Sequence, residues 1–155
     1  GARMIAHPAV AIRPATDADI PACADLVDRV HRVFFAWDAE TVYGLDAFER
    51  RTAGEIVTLA WAGSEIAGLI SVFWPDNFVH HLYVDLPWQG CGVGRALLAA
   101  GLTNMAGATR LKCDIANLSA QRFYERLGWR EVARSGSRPA DSFLYLKELP
   151  ERPPA

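Results

Sequence analysis

The sequence has 155 residues with a formal net charge of −2, and apolar residues make up 51% of it. This length and apolar content predict one folded domain with its own hydrophobic core, and they argue against a disordered chain. The nearly balanced charge and the lack of a basic run argue against nucleic acid as a partner. No apolar run approaches the roughly 20 residues that span a bilayer, so no membrane partner is expected.

The three cysteines, Cys23, Cys91 and Cys113, are an odd number without the spacing of a metal site. They predict reduced thiols in a cytoplasmic protein with no bound metal. No basic region followed by an apolar stretch begins the sequence, so no signal peptide is expected. Residues 1–3 resemble a cloning remnant and residues 151–155 a frayed tail, which leaves residues 4–150 as the predicted domain.

The first third of the chain predicts one strand and two helices. Residues 10–13 are typical of a short strand, and Thr16 and Asp19 then offer the side chains of a capping box. Apolar residues at helical spacing predict a first helix that runs to about residue 35. A less regular second helix is predicted over residues 39–50.

The middle of the chain predicts three strands over residues 56–61, 65–74 and 78–84, separated by Ala-Gly-Ser and Pro-Asp-Asn turns. Helical spacing returns from residue 93, and residues 111–115 form the next predicted strand.

The last part of the chain predicts a helix with Asn117 as its N-cap and Gly128 just beyond its end. Strands are predicted over residues 129–134 and 142–147. The resulting order is β-α-α-β-β-β-α-β-α-β-β, which predicts an α/β domain built on a mixed sheet.

A glycine-rich loop joins the strand that ends at Val84 to the helix that begins near Val93. Glycines occupy positions 90, 92 and 94, and Arg95 follows them. The first N–H groups of a helix lack intrahelical partners and the helix dipole adds positive charge there, so this corner predicts a phosphate site. It is neither a dinucleotide fingerprint nor a P-loop, because Arg95 stands where each of those motifs requires a glycine. A tight turn without a ligand is the alternative.

Two motifs resemble the GNAT superfamily of N-acetyltransferases. Residues 89–94, Gln-Gly-Cys-Gly-Val-Gly, match its acetyl-CoA signature Q/R-x-x-G-x-G/A. Residues 117–132 resemble its asparagine-led helix with a Phe-Tyr pair and a Leu-Gly-aromatic ending. The order of elements also matches, so the resemblance covers nearly the whole chain and implies the GNAT acyl-CoA N-acyltransferase fold.

The resemblance implies an enzyme that moves an acetyl group from acetyl-CoA to a primary amine of a small molecule, peptide or protein. Transfer would occur by direct attack in a ternary complex, without a metal or redox cofactor. A CoA-binding sensor or interaction module without turnover is one alternative, and a transferase for a longer acyl-CoA is another. Many members of the superfamily pair, so the resemblance also allows a homodimer.

The same resemblance implies a binding site for the cosubstrate. Its pyrophosphate would rest on backbone N–H groups of the glycine loop. Its pantetheine arm would pair like an added strand with the strand that leads into the loop. That strand and the one after the loop helix would then splay apart. The residues so implied are Leu82, Tyr83, Val84, Gln89, Gly90, Cys91, Gly92, Val93, Gly94, Arg95, Asn117 and Tyr124.

Tyr124 matches the family's tyrosine near the thioester sulfur, and it is the implied general acid. A thiol has a pKa near ~8.5, so a phenol that donates a proton to the leaving thiolate assists the reaction at neutral pH. The alternative is that Tyr124 belongs only to the core, like its neighbour Phe123. Cys91, at a variable position of the loop motif, is expected to be a bystander rather than a nucleophile.

A histidine is the expected proton acceptor, because an amine with a pKa near ~10.4 must lose a proton before it attacks. His80 and His81 lie on the strand beside the cosubstrate. Strand alternation predicts that they face opposite sides, with His80 on the side of Leu82 and Val84. His80 is the first choice as base or water relay and His81 the second, and ordinary strand histidines beside an ordered water are the alternative.

The resemblance implies an acceptor pocket opposite the CoA arm, between the first two helices and the last strands. Seven aromatic residues of those segments would line an apolar pocket, or else belong to the core or a dimer surface: Phe34, Phe35, Trp37, Tyr43, Phe48, Trp74 and Phe143. Three acidic residues near them are expected to lie on solvated helix faces, with attraction of a cationic amine as the alternative: Asp38, Glu40 and Asp46. Asp85 is expected to be a turn residue, and His7 and His31 are given no role.

Overall fold

The structure is a computed structural model that describes residues 9–151. Its strands are β1 (Ala11–Pro14), β2 (Ile56–Ala62), β3 (Glu65–Phe73), β4 (Phe78–Val84), β5 (Gly107–Asp114), β6 (Arg130–Arg134) and β7 (Ser142–Leu149). Its α-helices are α1 (Ile20–Phe34), α2 (Leu45–Arg51), α3 (Val93–Leu102) and α4 (Leu118–Arg126). The predicted order of strands and helices is confirmed. Within residues 9–151, no helix has both the length and the apolar character needed to cross a membrane.

The seven strands form one mixed sheet in the order β1-β2-β3-β4-β5-β7-β6. All neighbours are antiparallel except β4 and β5, which run parallel. These two central strands pair only at Phe78 with Arg110 and at Val79 with Leu111. Beyond those pairs they diverge, so the predicted splay is confirmed and the middle of the sheet is open on one side.

Each face of the sheet carries its own hydrophobic cluster. On one face α3 and α4 pack over side chains such as Ile70, Leu111 and Tyr145. On the other face α1 and α2 cover Leu59 and Leu69. Successive side chains of a strand point to opposite faces, so both faces of the central strands are buried. Since α1 and α4 pack on different faces, they lie on opposite sides of the gap between β4 and β5.

Two predicted boundaries were wrong. The second helix begins at Leu45 rather than at residue 39, because a single helical turn over Ala36–Asp38 ends early and Gly44 is extended. The hydroxyl of Thr41 donates to the Asp38 carboxylate at 2.6 Å, which stabilises that turn instead of a longer helix. Strand β5 begins at Gly107, four residues earlier than predicted, because its whole length pairs with β7.

The predicted capping box is confirmed, since the Asp19 carboxylate accepts hydrogen bonds from the backbone N–H and the hydroxyl of Thr16, each at 2.9 Å. The predicted remnant at residues 1–3, His7 and all but the first residue of the predicted tail lie outside the described residues.

Candidate active site

A cleft of about 390 Å³ occupies the gap where β4 and β5 diverge. Leu82 and Tyr83 line it from β4, and Cys113 and Asp114 line it from β5. Tyr124 of α4 also lines it. The splayed strands therefore connect the α4 side of the sheet to the α1 side through one opening.

The backbone of β4 is oriented toward this cleft at alternate residues. The N–H of Asp85 donates to the carbonyl of Ala67 on β3 at 2.8 Å. By alternation the backbone groups of Tyr83 also face β3, and those of Leu82 and Val84 face the gap, where the predicted added strand would lie. The amide of Gln89 already donates to the Val84 carbonyl, at 2.5 Å. This bond folds the glycine loop back onto the end of β4.

The glycine loop begins α3 with two residues in the left-handed region. Gly90 has φ of 72° and Gly92, the residue before the helix, has φ of 84°. Other residues are strained there, which accounts for glycine at both positions. The first N–H groups of α3, at Val93 and Gly94, precede the first intrahelical bond, from the N–H of Ala96 to the carbonyl of Gly92. The loop thus presents backbone donors at the positive end of a helix dipole.

Asp85 is a turn residue that holds the start of this loop against α1, as predicted. Its buried carboxylate accepts two hydrogen bonds from the Arg29 guanidinium, at 3.0 and 2.7 Å, and one from the N–H of Leu86 at 2.8 Å. Burial raises the pKa of Asp85, but the bonds from Arg29 and Leu86 outweigh it and hold the pKa below its ordinary value. The carboxylate is therefore ionised at neutral pH and serves structure.

Tyr124 sits at the α4 side of the cleft with its ring buried against Phe123, Trp129 and Tyr145. Tyr124 lines the cleft, and within residues 9–151 no hydrogen bond of its hydroxyl acts on the phenol. Burial raises the pKa of Tyr124, and the nearby thiol of Cys113 adds to the effect. The phenol therefore stays protonated at neutral pH and has a proton to donate.

Two neighbours of Tyr124 have structural roles that the geometry explains. The side-chain oxygen of Asn117 accepts from the N–H of Ala120 at 3.3 Å, which confirms the predicted N-cap. Burial raises the pKa of Cys113 to about 12, and Asp114 adds to the shift, so this thiol is neutral. Cys91 lies in the glycine loop, where its thiol contacts the carbonyl of Gln89 at 3.5 Å.

The prediction that His80 and His81 face opposite sides of the sheet is wrong. Ser71 of β3 pairs with His81, but the next residue, Val72, pairs with Val79, so His80 is the extra residue of a β-bulge. The bulge breaks strand alternation and brings the two imidazole rings together, with 3.8 Å between their centroids. His81 faces the α1 side, where its ring stacks with that of Tyr83 at 5.9 Å.

Both histidines meet a residue that the sequence analysis missed, Glu55, which precedes β2. Its carboxylate lies 2.5 Å from Nδ1 of His80 and 3.8 Å from Nδ1 of His81, and the His81 nitrogen also bonds to the Ser71 hydroxyl at 2.8 Å. The side chain of Glu55 is 7% exposed, compared with 10% for His81 and 37% for His80. No local pattern marks Glu55, since it lies 25 residues from His80 in the chain.

Burial and charge decide the protonation of this cluster. Burial lowers the pKa of His81, and the hydrogen bond to Glu55 offsets only part of that effect, so His81 is neutral at pH 7. Burial raises the pKa of Glu55, but hydrogen bonds from His81, Ser71 and His80 bring it below its ordinary value. A neutral imidazole beside an ionised carboxylate is the arrangement of a base with an orienting partner.

Glu55, His80 and His81 also have the donor types of a metal site, with one ligand atom from each within 4.8 Å of the others. Among residues 9–151 this is the one such group. The Nδ1 atoms of both histidines are already engaged by Glu55 and Ser71, so we interpret the group as a hydrogen-bonded cluster.

The α1 side of the cleft combines aromatic rings with two carboxylates. Phe35 and Tyr43 line it, and the indole N–H of Trp37 donates to the Asp114 carboxylate at 2.9 Å. Burial raises the pKa of Asp114, and the negative charge of Asp38 adds to the shift. Asp38 lines the cleft with its side chain 30% exposed, so it does not lie on a fully solvated helix face. His31 is buried in the same lining, with Nε2 2.9 Å from the Asp38 carbonyl oxygen.

The remaining residues of the expected acceptor set lie elsewhere. Phe48 is in the core under α1 and α2, and Trp74 and Phe143 pack against the core on the α3 side. Phe34 is 42% exposed. Glu40 and Asp46 are exposed, as expected for solvated positions.

Comparison with known proteins agrees with this architecture. A family model described as an acetyltransferase (GNAT) domain matches residues 33–140. Among solved structures, a GCN5-related N-acetyltransferase from Rhodopseudomonas palustris is 19% identical with a TM-score of 0.76, over 96% of this chain and 100% of its own. A search of curated proteins found no match.

Two further solved structures contain the cosubstrate or its product. A putative acetyltransferase, yncA, from Salmonella typhimurium with acetyl-CoA is 23% identical with a TM-score of 0.70, over 95% of this chain and 98% of its own. The PaiA N-acetyltransferase from Thermoplasma acidophilum in complex with coenzyme A is 18% identical with a TM-score of 0.75, over 90% of this chain and 99% of its own. At these identities the similarity establishes the fold.

Proposed function

The chain belongs to the GNAT acetyltransferase family and is an acyltransferase, and from this premise we propose that it moves an acetyl group from acetyl-CoA to a primary amine. The acceptor amine belongs to a small molecule, a peptide or a protein. The amine attacks the thioester directly while both substrates are bound. Cys91 takes no part as a nucleophile, because it belongs to the loop that would hold the pyrophosphate.

The opening between β4 and β5 is the observation that carries this proposal. The two strands share only two pairs, and beyond them the backbone groups of Leu82 and the N–H of Val84 face the open edge, while the Val84 carbonyl accepts from the Gln89 amide. An unpaired strand edge beside a cleft accepts an extended arm as an added strand. At one end of that edge the glycine loop offers unpaired helix N–H groups for a pyrophosphate, which uses Gln89 through Arg95 as the resemblance implied.

Tyr124 is the proposed general acid. Attack on the thioester forms an N–C bond and breaks the C–S bond, and the leaving thiolate needs a proton. A phenol is protonated at neutral pH, and burial of Tyr124 raises its pKa further, so the hydroxyl carries a proton that it can donate to the sulfur.

His81 is the proposed proton acceptor for the amine, in preference to His80. The bulge places His81 on the acceptor side with Tyr83, where its Nδ1 bonds to the Ser71 hydroxyl at 2.8 Å and lies 3.8 Å from Glu55. In the Nδ1–H tautomer, Nε2 carries the lone pair that would take the amine proton. His80 is the more exposed ring of the pair, and its Nδ1 is engaged by Glu55.

Binding and turnover are separable by experiment. Acetyl-CoA at a hundredfold excess over Kd should stabilise the native state by about 2.7 kcal/mol. For a domain of this size that corresponds to a rise in unfolding temperature of roughly 5–11 °C. Release of CoA thiol is then measured with a panel of primary amines and with acetyl-CoA and longer acyl-CoA donors.

A matched pair of glycine variants tests where the cosubstrate binds. Gly92→Glu and Gly63→Glu both place a charged side chain in the left-handed region, with φ of 84° and 62°, but Gly63 lies in the β2–β3 hairpin. Both should lose stability alone, and only Gly92→Glu should lose the acetyl-CoA shift. No shift in the wild type would make the loop a simple turn. A shift without thiol release for any amine would favour a CoA sensor.

A further inference from the structure

We propose that Glu55 is a positioning residue that orients His81, holding its Nδ1 protonated so that Nε2 takes the proton from the acceptor amine. The inference rests on the proposed function, because it concerns the base of that reaction. It deepens the proposal by assigning a role to a carboxylate far from the cosubstrate motifs in sequence.

The bulge in β4 is what makes this contact. On a regular strand His80 and His81 would point to opposite faces, and one carboxylate could not reach both. The extra residue turns both rings toward Glu55, whose two oxygens then divide between them: Oε2 lies 2.5 Å from His80 and Oε1 lies 3.8 Å from His81. Oε1 is buried and has no hydrogen-bond partner within the described residues, so it is free to accept from His81.

Oε1 lies 3.8 Å from Nδ1 of His81, within ion-pair range of a charged imidazolium. In the resting state Nδ1 also contacts the Ser71 hydroxyl at 2.8 Å, a group that can donate or accept. When the amine proton arrives at Nε2, the imidazolium has two N–H groups, and the buried carboxylate is the anion that stabilises it. A buried ion pair with hydrogen bonds is stronger than one in water.

The charged groups around His81 come from several elements. Glu55 precedes β2, Arg51 ends α2, His80 is its neighbour on β4, and Lys112 of β5 lines the same cleft, as do the carboxylates of Asp38 and Asp114. Among residues 9–151, Glu55 is the anion that acts on the pKa of His81, and its Oε1 lies 3.8 Å from Nδ1. The charges of Arg51 and His80 oppose protonation of His81. Removal of the Glu55 charge therefore takes away the carboxylate beside Nδ1 that supports the charged form.

The proton transfers balance in this arrangement. The amine proton goes to Nε2 of His81 as the N–C bond forms, and Tyr124 supplies the proton that the CoA sulfur receives as the C–S bond breaks. His81 then returns its proton to solvent and Tyr124 is reprotonated from solvent. No oxidant or further reactant is needed.

The test compares Glu55→Gln with Glu65→Gln, which changes an exposed glutamate at the start of β3, in buffers with EDTA so that no metal contributes. Nitrogen-15 NMR of the imidazoles in the protein without ligands should show the Nδ1–H tautomer of His81 in the wild type and in Glu65→Gln. Glu55→Gln should lower the His81 pKa and populate the other tautomer. An unchanged His81 pKa and tautomer in Glu55→Gln would overturn the proposal, whether or not an acceptor has been found.

Kinetics give the second readout. Glu55→Gln should reduce kcat about 10–100-fold, move the acidic limb of its pH profile to lower pH, and leave the acetyl-CoA unfolding shift unchanged. Glu65→Gln, remote from the cleft, should stay within a few-fold of the wild type. A loss of activity in Glu55→Gln with the acidic limb unmoved would mean a structural role only and would refute the inference. A wild type that turns over no amine would instead refute the proposed function while the NMR result stands.

Discussion

Replacement of Tyr124 by phenylalanine removes one oxygen atom from the α4 side of the cleft and leaves the buried ring in place. Within residues 9–151 no hydrogen bond of this hydroxyl acts on the phenol, so its removal should break no hydrogen bond of the native state. The unfolding temperature and the acetyl-CoA shift should therefore change little. If the phenol protonates the leaving thiolate, kcat should fall by about 10²–10⁴-fold, which is a barrier increase of roughly 3–5 kcal/mol.

Tyr145→Phe is the matched control, because the two rings lie 6.3 Å apart and both are buried. The Tyr145 hydroxyl donates to the Glu125 carboxylate at 3.1 Å, so this variant loses a hydrogen bond worth about 0.5–1.5 kcal/mol. That loss should lower the unfolding temperature by roughly 1–6 °C. Activity should stay within about twofold, since general acid catalysis is untouched.

Tyr124→Phe should therefore lose activity and keep its stability, and Tyr145→Phe should lose stability and keep its activity. The assay is thiol release at saturating acetyl-CoA and amine, with thermal unfolding of each variant measured with and without acetyl-CoA. A Tyr124→Phe protein that binds acetyl-CoA normally and keeps wild-type kcat would remove the acid assignment. A large loss of stability in Tyr124→Phe would show that the hydroxyl has a structural partner.

Three further predictions concern stability. In Gly68→Ala the new Cβ would lie 2.7 Å from the Tyr83 carbonyl oxygen and 2.9 Å from Leu97 Cδ1, so we expect a loss of about 1–3 kcal/mol in chemical denaturation; an unchanged midpoint would contradict this packing. The pKa of Asp85 is lower in the native state than in the unfolded chain, so the ionised carboxylate stabilises the fold above pH ~4. This contribution to the free energy of unfolding disappears as the pH falls through the native pKa. In Asp85→Asn the free energy of unfolding should therefore fall less steeply with decreasing pH over that range. The pKa of His81 is also lower in the native state, so the unfolded chain takes up a proton at this histidine at a higher pH than the native protein does. The free energy of unfolding should therefore fall as the pH drops below ~6.5. His81→Gln should lose less stability over that range than the wild type.

Local patterns in the sequence were sufficient for the element order and the cosubstrate motifs. Helical periodicity, turn residues and the Asn117 cap act over a few neighbouring positions, so they can be identified without tertiary information. The glycine loop belongs to this class, because the positive φ angles at Gly90 and Gly92 are a local requirement. The splay of β4 and β5 was inferred from the family resemblance and is present in the structure.

The surroundings of the proposed base and the lining of the acceptor side could not be predicted locally, because they depend on contacts between elements distant in the chain. Alternation along β4 failed at His80 because a register shift against β3 inserts a bulge, and such a shift is set by the partner strand. Contacts between elements distant in the chain brought Glu55 to the histidines, and the early end of the turn at Ala36–Asp38 brought Asp38 into the cleft.

For the titratable groups as well, the sequence and the tertiary structure contributed different information. The sequence by itself supplied the groups that can donate or accept a proton, Tyr124, His80 and His81, and the order in which they occur. Burial then raises the pKa of Tyr124 and lowers that of His81, because a charge that loses water is destabilised unless a partner replaces it. The partner that lies beside His81, Glu55, is brought there by the packing of the sheet and its helices.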